Sequence, residues 1–331
     1  MSGPPELASA DLATIQEPVR NELDGVLVEL RRIIVADFPM ITEVNEHLLQ
    51  MKGKMFRPTL LLLSARAAGE VRREDVTLAA VVELIHLATL VHDDSVDHSV
   101  LRRGQPTVNS MFSHQVAVIM GDYLYSRAMI ELVELGEPVP LQLMSRVTNE
   151  MTVGEMRELQ AHDTLDYSEA DYDALIQYKT ASLMSAACEI GARRAAPDVR
   201  EGLSRFGQLL GRAFQITDDV LDYTETESVT GKPSGLDLRE HKITLPLIAA
   251  RSRMTESELA QVERLMADPA PSDELVSEVI GVVRRVGGVD VARERAQELA
   301  LLAERELEAV PEGPAREALR GGLAHAVDRR S

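Results

Sequence analysis

The sequence predicts an all-α protein. Ala, Leu, Glu, Arg and Met are abundant, and apolar residues recur at steps of three and four, which is the spacing of one helix face. Gly and Pro gather at a few places that indicate loops between helices. No strong run of alternating apolar and polar residues, the pattern of a half-buried strand, lies between turns. These three observations predict a chain of helices joined by short loops.

The helical pattern divides the chain into long segments, followed by a short helix near the end. The approximate bounds of the long segments are 10–35, 39–50, 55–69, 74–98, 107–134, 138–161, 168–193, 198–224, 241–251, 255–266, 272–285 and 287–308. Residues 1–10 are expected to form a flexible tail. No linker is long enough to require a domain boundary, so residues 11–331 are expected to form one domain.

Composition and charge make some functions, such as nucleic-acid binding, poor candidates for this chain. The 331 residues are 45% hydrophobic, as expected for a globular chain. Asp and Glu number 54 against 35 Lys and Arg, which gives a formal net charge of -19. Nucleic-acid binding depends largely on neutralising phosphates, so this acidic chain is a poor candidate for it. An anionic substrate would also be repelled unless cations and local Lys and Arg clusters reverse the field at its site.

Cysteine content and hydrophobic segments bear on where the protein resides. The single cysteine, Cys188, excludes an intrachain disulfide and a cysteine-type zinc site, and fits a reducing compartment. Met1–Gln16 lacks the basic start and apolar run of a signal peptide, so we expect a cytoplasmic protein. The most apolar segment, Thr77–His92, contains Glu83 and His86 and is shorter than the roughly 20 apolar residues of a membrane span. We expect it to be a buried helix.

The first chemical signal is a group of three aspartates at the end of that apolar helix. Asp93 and Asp97 are four residues apart and therefore share a helix face, with Asp94 beside them. The three acids, called the first ladder below, repel one another and face the negative end of the helix dipole. A bound cation would explain why they stand together.

The second signal repeats the first at the end of segment 198–224. Asp218, Asp219 and Asp222, called the second ladder, have the same spacing. Carboxylates without thiolates are hard oxygen ligands, which suit Mg²⁺ or Mn²⁺. A single such string on an acidic chain is as well explained by a solvated helix face. Two matching strings, each after an apolar turn, favour a metal site in which the ladders face each other.

Basic residues stand out against the acidic background and suit phosphate groups. Arginine grips phosphate oxygens in pairs, and lysine acts as a point charge. The candidates are Lys54, Arg57, Arg102, Arg103, Lys179, Lys232 and Lys242. Each alone is better explained as a surface charge, and Lys52 is interpreted as one. His86 lies two helical turns before Asp93, where it is either a buried core histidine or part of the site.

In this order and spacing, these residues resemble the trans-isoprenyl (polyprenyl) diphosphate synthase family. The matching elements are Gly53-Lys54-x-x-Arg57-Pro58, His86, the first ladder, Arg102-Arg103-Gly104, Gly121-Asp122, Lys179-Thr180, Phe214-Gln215, the second ladder and Gly231-Lys232. The resemblance extends from about Lys52 to Pro246. It is specific because the whole set occurs in order, whereas each element alone is a weak signal.

The resemblance implies a fold and an activity. The fold is a single antiparallel helical bundle around a central cavity, of the isoprenoid synthase type. The activity is head-to-tail condensation of isopentenyl diphosphate with an allylic diphosphate, assisted by Mg²⁺, with Mn²⁺ as a substitute. The family also implies a homodimer, and the oily product implies transient membrane contact for its release.

The resemblance also assigns roles to residues. The metal ligands would be Asp93, Asp94, Asp97, Asp218 and Asp222, with Asp219 supporting the second site. The allylic diphosphate would contact Arg102, Lys179, Lys232 and Lys242. Isopentenyl diphosphate would contact Lys54, Arg57, His86 and Arg103. Thr180 and Gln215 would line the reacting carbons.

Three motifs depart from the family pattern. Lys52 and Met55 stand where a Gly and an Arg are frequent, although the two basic residues assigned above remain. Ser182 stands where Arg or Gly is common. The family glutamine near 155–160 is displaced, since Glu155 follows Gly154 and the glutamine comes only at Gln160.

Product length is expected to depend on the helix face below the first ladder. Many short-chain members carry a bulky aromatic five residues before the first aspartate, where this chain has Ala88, with Thr89 beside it. Ile85, Val82 and Val81 continue that face toward the helix start. This predicts an open apolar tunnel and a product of six or more isoprene units. The alternatives are a floor near Met129 and Ile130, an Ala88 that only allows tight packing, and a geranylgeranyl product.

Two rival functions come from other classes. A class I terpene cyclase also uses an aspartate-rich motif, but its second metal motif differs from the second ladder, and this chain has only 3% aromatic residues and no Trp. A non-catalytic partner subunit of a heteromeric synthase would be expected to lack one ladder or the basic residues, which this chain keeps. The catalytic subunit of such an enzyme remains an alternative.

Overall fold

The computed structural model describes residues 11–51, 53–161, 165–224 and 235–328. Within them the helices are α1 Leu12–Gln16, α2 Arg20–Ile33, α3 Pro39–Gln50, α4 Phe56–Ala67, α5 Arg73–Val96, α6 Val108–Met111, α7 His114–Leu135, α8 Pro138–Ala161, α9 Glu169–Ile176, α10 Ser182–Gly191, α11 Pro197–Thr224, α12 Leu236–Arg239, α13 Leu245–Arg251, α14 Glu256–Met266, α15 Asp273–Arg285, α16 Gly288–Glu306 and α17 Pro314–Val327. The predicted all-α fold is confirmed. The expected tail at 1–10 lies outside the described residues.

Two predicted helices are interrupted. Segment 10–35 contains a 3-10 turn, Glu17–Val19, because Pro18 has no amide hydrogen to donate to the preceding turn. Segment 107–134 breaks after the short α6, and Ser113 starts α7 by accepting a hydrogen bond from the Val116 amide. Serine favours this capping position over a helix interior.

A two-stranded hairpin follows α5. Strand β1, Leu101–Arg102, pairs antiparallel with β2, Gln105–Pro106. The two turn residues, Arg103 and Gly104, both have positive φ, at 52° and 74°. A two-residue turn of this kind matches the twist of the strands. The hairpin places consecutive arginines in different surroundings just beyond the first ladder.

The apolar core forms two clusters that share α11. The first cluster includes buried residues of α4, α5, α7, α8 and α10, together with the N-terminal half of α11. The second lies around the C-terminal half of α11, with residues of α12 to α16. The first ladder therefore ends a helix of the first cluster, and the second ladder ends the helix that both clusters share.

Helix α5 is the central apolar helix of the first cluster. Its length and composition would be sufficient to cross a membrane, but 61% of its most apolar window is buried inside the protein. It packs against α2, α4 and α7. This is the buried helix expected for segment 77–92, extended to Arg73–Val96.

A π-helical turn, Gln177–Ala181, joins α9 to α10. Two glycines allow neighbouring helices to approach it. A Cβ atom at Gly154 would lie 3.2 Å from the Lys179 amide nitrogen, and one at Gly211 would lie 2.6 Å from the Ala181 Cα. Turns of this type often occur at functional sites. Here the close approach brings Lys179 and Thr180 against α8 and α11.

Candidate active site

The first ladder is held by cations from elsewhere in the chain. Asp94 is buried and accepts hydrogen bonds from Arg102, with Nε at 2.8 and 2.9 Å from its two oxygens. A second guanidinium nitrogen lies 2.8 Å from Asp94 Oδ1. Asp97 lies 3.2 Å from Lys242 Nζ. These charge-assisted bonds offset the repulsion among the three carboxylates.

Asp93 shares a charged cluster with Lys179. Lys179 Nζ lies 2.9 Å from Glu155 Oε2 and also contacts Glu158. Burial raises the pKa of Asp93 to about 7; Lys179 opposes that shift and nearby carboxylates reinforce it. Burial alone would lower the pKa of Lys179, but the carboxylates around it outweigh burial and raise it. Lys179 is therefore a fixed cation among displaceable anionic partners.

Lys242 connects the first ladder with the region of the second. Its Nζ lies 3.2 Å from Asp97, 2.8 Å from Glu240 and 3.9 Å from Glu158. Burial and the nearby carboxylates of Asp222 and Asp219 raise the pKa of Asp237 well above its ordinary value, and Lys242 opposes that shift. Lys242 therefore lies between Asp97 of the first ladder and Asp237, whose backbone amide donates to Asp222 of the second.

The carboxylates of the second ladder have different partners. Asp222 accepts hydrogen bonds from the Leu236 and Asp237 amides at 3.0 and 3.1 Å, and so caps α12. The Gly235 amide donates to the Asp222 carbonyl at 3.0 Å. Asp218, in contrast, is exposed.

Asp219 is buried, and both its carboxylate oxygens accept hydrogen bonds. One comes from the Tyr172 hydroxyl and the other from Gln215 Nε2 at 2.8 Å. Thr180 Oγ1 in turn donates to Gln215 Oε1 at 2.8 Å. Burial raises the pKa of Asp219 to about 7, against the effect of the two donors. The middle residue of the second ladder thus supports the pair expected to line the reacting carbons.

A cavity joins these groups. Its lining includes Lys179, Thr180, Gln215, Asp219 and Lys242. Apolar side chains of α9 form part of the same wall. Cations, carboxylates and an uncharged dipolar pair therefore face one space, as the proposed condensation requires.

A second cationic cluster, called the arginine pocket, consists of Arg57, Glu83, His86 and Arg103. A Cβ atom at Gly53 would lie 3.1 Å from Glu83 Oε1 and 3.2 Å from an Arg103 guanidinium nitrogen. Glycine at this position therefore keeps the space beside the two side chains open.

Burial sets the charges of the arginine pocket. Desolvation lowers the pKa of Arg57 to about 10, although Glu83 opposes the shift. Burial lowers the pKa of His86 well below its ordinary value, and the surrounding arginines lower it further. Arg57 Nε is buried with no hydrogen-bond partner in the part of the chain that the structure describes. A buried cation with an unused donor suits a multidentate anion.

The donor set fits Mg²⁺ that is bound together with a phosphorylated substrate. In the described ranges, no three His, Cys, Asp or Glu side chains form a metal cage by themselves. Magnesium retains waters and is commonly held by one or two carboxylates plus substrate phosphates, so a closed cage is not required. The first ladder and Asp218 supply such carboxylates. Their assignment as ligands stays a prediction.

The predicted residues differ in how directly they reach this site. Lys54 is exposed, and its carbonyl accepts a hydrogen bond from Gln16 at 2.9 Å. Lys232 lies outside the described residues. Ala88 is buried at 3% exposure, and Thr89 Oγ1 donates to the His86 carbonyl at 2.8 Å. Neither Ala88 nor Thr89 lines the cavity described above.

Several site residues were missed by sequence reasoning. Glu158, rather than the exposed Gln160, joins Glu155 beside Lys179. The helical spacing of three from Glu155 to Glu158 carried that signal, since it places both on one face. Tyr172 joins the site only through long-range packing and has no local sequence signal; Glu83 is visible as a charge inside an apolar helix, but its contact with the arginines depends on packing.

The glycine of the Gly121-Asp122 motif serves the first ladder indirectly. A Cβ atom at Gly121 would lie 2.2 Å from His92 Nε2, so α7 can approach α5 this closely only with glycine. His92 Nε2 lies 3.1 Å from the Val118 carbonyl. The contact fixes the residue immediately before Asp93.

Comparison with known proteins agrees with this geometry. The family model of polyprenyl synthetase matches residues 38–283. The all-trans-nonaprenyl-diphosphate synthase (geranyl-diphosphate specific) of Rhodobacter capsulatus is 38% identical over 317 residues, covering 95% of this chain and 97% of that protein. The octaprenyl diphosphate synthase of Escherichia coli strain K12 is 36% identical over 322 residues, with coverages of 97% and 99%.

A solved structure is similar along the whole fold. The crystal structure of a polyprenyl synthase from Caulobacter crescentus CB15, complexed with calcium and isoprenyl diphosphate, has a TM-score of 0.93 at 33% identity. The match covers 98% of this chain and 99% of that chain. The family match contains both ladders, the hairpin arginines and the lysines of the cavity. The chain therefore belongs to the polyprenyl synthetase family and is a prenyltransferase.

Proposed function

We propose that this prenyltransferase makes a long-chain trans-polyprenyl diphosphate of six or more isoprene units. It would condense isopentenyl diphosphate head to tail with an allylic diphosphate. The condensation of two diphosphates is supported above all by two cationic clusters of different composition. Lys179 and Lys242 are interleaved with carboxylates, whereas the arginine pocket has two arginines against one buried glutamate.

The unlike clusters suit two diphosphates with different fates. The leaving diphosphate needs metal ions as well as cations, so it belongs beside the ladders. The isopentenyl diphosphate stays intact, and the arginine pocket can bind it without metal ligands. The long-chain relatives from Rhodobacter and Escherichia support this substrate pair for this chain.

The side chains at the ladders have three tasks. Lys179, Lys242 and Arg102 exchange their carboxylate partners for oxygens of the allylic diphosphate. The ladders would hold Mg²⁺, or Mn²⁺ in its place, which supplies charge neutralisation of the leaving diphosphate. The calcium in the Caulobacter complex supports a divalent cation in this family.

The reaction then needs orientation more than a protein nucleophile. The allylic carbon–oxygen bond breaks, and its electron pair leaves with the diphosphate. The isopentenyl double bond attacks the allylic carbon, and a proton is lost to the departing diphosphate. Thr180 and Gln215 line the cavity in which the reacting carbons would lie, and the apolar side chains of α9 in the same wall would limit access of water.

Product length is proposed to depend on the α5 face below the first ladder. Ala88 carries only a methyl group there, and Ile85, Val82 and Val81 continue the face, all almost fully buried. A growing apolar tail would have to part these packed side chains to pass them. Of the alternative floor residues, Met129 packs against the core and Ile130 is 43% exposed.

A second copy of this chain is the proposed partner. Ile119, Ile130 and Val133 are exposed on α7, and their separations of 11 and 3 residues place them on one face. Val153 and Met156 are exposed on the adjacent α8. Exposed apolar side chains grouped on two neighbouring helices are typical of a protein interface. Light scattering should give the mass of a dimer; a monomer would contradict this part of the proposal.

We propose a cytoplasmic enzyme that contacts a membrane transiently when it releases its product. The absence of a usable disulfide partner for Cys188 and the apolar nature of the product support this. Fractionation of cells that express the full chain should find it in the soluble fraction, with recruitment to vesicles only during turnover.

A product-length assay tests the proposed function. The full chain would receive isopentenyl diphosphate, Mg²⁺ and, in turn, dimethylallyl, geranyl, farnesyl and geranylgeranyl diphosphate. We expect products of six or more units, shorter products from Ala88→Phe, and unchanged lengths from Val28→Phe, which adds the same ring at an exposed site on α2.

Other outcomes separate the alternatives. A product that stops at four units would indicate a geranylgeranyl diphosphate synthase. No elongation from any primer would contradict a stand-alone synthase and point to a missing catalytic partner or to a cyclised product.

A further inference from the structure

A hydrogen-bond chain reaches from a buried tyrosine to the reacting end of the cavity. The Tyr172 hydroxyl donates to Asp219 Oδ2, and Gln215 Nε2 donates to Asp219 Oδ1 at 2.8 Å. Thr180 Oγ1 donates to Gln215 Oε1 at 2.8 Å. Tyr172 and Asp219 are 1% and 5% exposed. The proposed condensation uses Thr180 and Gln215 but assigns no task to Tyr172.

The chain fixes the direction of each bond in it. Both oxygens of Asp219 accept hydrogen bonds, so the Gln215 amide turns its nitrogen to Asp219 and its oxygen to Thr180. Thr180 must then donate its one hydroxyl hydrogen to Gln215. The lone pairs of Thr180 Oγ1 remain for the cavity that this residue lines.

The opposite direction would work against the reaction. If the Gln215 amide turned round, its nitrogen would donate to Thr180 and release the hydroxyl hydrogen toward the cavity. A hydroxyl hydrogen repels a developing allylic cation, whereas an oxygen lone pair attracts it. The orientation of a single amide therefore decides the sign of a dipole at the reacting carbons.

We propose that Tyr172 and Asp219 are positioning residues that, through Gln215, hold the Thr180 hydroxyl with its lone pairs toward the reacting carbons. The proposal rests on the proposed function, since it needs an allylic cation in this cavity. Asp219 then acts as the anchor of this hydrogen-bond chain, which leaves Asp218 and Asp222 as the predicted metal ligands of the second ladder.

A substitution at Tyr172 tests the positioning of Gln215 and Thr180 without altering either residue. Tyr172→Phe keeps the ring that packs in the second apolar cluster and removes only the hydroxyl. Asp219 Oδ2 then loses its donor in a buried place, and the carboxylate is free to turn away from Gln215. Tyr223→Phe is the matched control, because Tyr223 is fully buried in the same cluster and its hydroxyl makes no hydrogen bond to Asp219 in the described structure.

The experiment compares the two variants with the full wild-type chain in single turnovers of farnesyl and isopentenyl diphosphate with Mg²⁺. For Tyr172→Phe we expect the limiting rate to fall about tenfold, while the half-saturating concentration of each substrate changes by less than about threefold. The fraction of farnesyl groups released as the free alcohol, after capture of the cation by water, should rise. Tyr223→Phe should stay within about twofold of wild type.

Two further measurements separate positioning from metal binding and from general loosening. Calorimetric binding of unreactive farnesyl thiolodiphosphate with Mg²⁺ should be equal in wild type and Tyr172→Phe, within about threefold. In a Thr180→Val background, which lacks the hydroxyl, Tyr172→Phe should lower the limiting rate by less than about twofold further.

The contrary results are distinct. An unchanged limiting rate in Tyr172→Phe, equal losses in both tyrosine variants, full additivity with Thr180→Val, or a parallel loss of Mg²⁺-dependent analogue binding would each overturn the positioning role. A wild-type chain that does not elongate farnesyl diphosphate contradicts the proposed function instead.

Discussion

Asp94 in the first ladder accepts hydrogen bonds from Arg102, whereas Asp222 in the second accepts hydrogen bonds from two backbone amides. Asp97 faces a lysine, and Asp219 faces a tyrosine and a glutamine. The two ladders have identical spacing and each ends a long helix, yet the partners named here for Asp94 and Asp97 are cations, and those named for Asp219 and Asp222 are uncharged donors.

The shared spacing determines where the carboxylates stand on the helix but not which groups they contact. Spacing places three carboxylates at the end of a helix, but partners from distant segments decide what each one can do. A carboxylate paired with Lys or Arg can exchange that partner for a diphosphate and a metal. A carboxylate that caps a helix or anchors an amide is fixed, so the second ladder presents fewer exchangeable groups.

The largest effect is expected at the first ladder. Asp93→Asn keeps the shape of the side chain and removes its charge from the site that would hold Mg²⁺. We expect elongation to fall by about a thousandfold, measured as the initial rate of isopentenyl incorporation. Asp24→Asn, the same change at an exposed position of α2, should have no effect. An active Asp93→Asn enzyme would show that the second ladder is sufficient for metal binding. It would contradict the different roles inferred for the two ladders.

A smaller effect is expected at the lysine between the ladders. Lys242→Gln leaves the carboxylates of Asp97, Glu240 and Glu158 without their shared cation. We expect the KM for the allylic diphosphate to rise about tenfold and the KM for isopentenyl diphosphate to change by less than about threefold. Steady-state kinetics with each substrate varied in turn measures both.

Lys242→Arg keeps the positive charge and should recover most of the lost affinity. Equal increases in both KM values would show that Lys242 serves the whole cavity. The two cationic clusters would then not be as separate as their geometry indicates.

Stability separates the residues of the second ladder. Asp222→Ala removes the side-chain cap of α12, so we expect the free energy of unfolding to fall by about 1–2 kcal/mol. Asp218→Ala, four residues earlier and exposed, should leave it nearly unchanged while still lowering activity. Denaturant unfolding of both variants measures the difference. Equal stabilities would mean that the hydrogen bonds from the backbone amides to the Asp222 carboxylate make no net contribution to the free energy of unfolding.

Local sequence was sufficient for the helices and for the ladders because both depend on spacing along one chain segment. It was insufficient for the hairpin at Leu101–Pro106, because each strand has only two residues. It was also insufficient for the π-helical turn Gln177–Ala181, which is a short interruption within a helical segment. Neither feature leaves a periodic signal of its own.

The partners of site residues were less accessible to sequence reasoning. Tyr172 and Asp219 are 47 positions apart, and their contact depends on how α9 packs on α11. Glu83 is visible as a charge inside an apolar helix, but its role follows only from the approach of Arg57 and Arg103. Substrate contacts of Lys54 and Lys232 stay predictions.

The smallest effect concerns His86 in the arginine pocket. His86 on α5 faces Arg57 from α4, Arg102 and Arg103 from the hairpin, and Glu83 on its own helix. Burial, followed by the arginines, lowers the pKa of folded His86 well below the 6.5 of the unfolded chain. Below pH 6.5 the unfolded state therefore binds the proton more readily, and stability falls as the pH falls.

This linkage predicts a pH-dependent difference between wild type and His86→Gln. Between pH 6.5 and 5.5 the wild type should lose about 1 kcal/mol of unfolding free energy more than His86→Gln does. Urea unfolding across that range measures the difference. His47→Gln, which alters a histidine outside the arginine pocket, should keep the wild-type slope. Parallel curves for wild type and His86→Gln would mean that the folded pocket accepts a proton on His86, and the arginines would then be farther from it than their effect on its pKa requires.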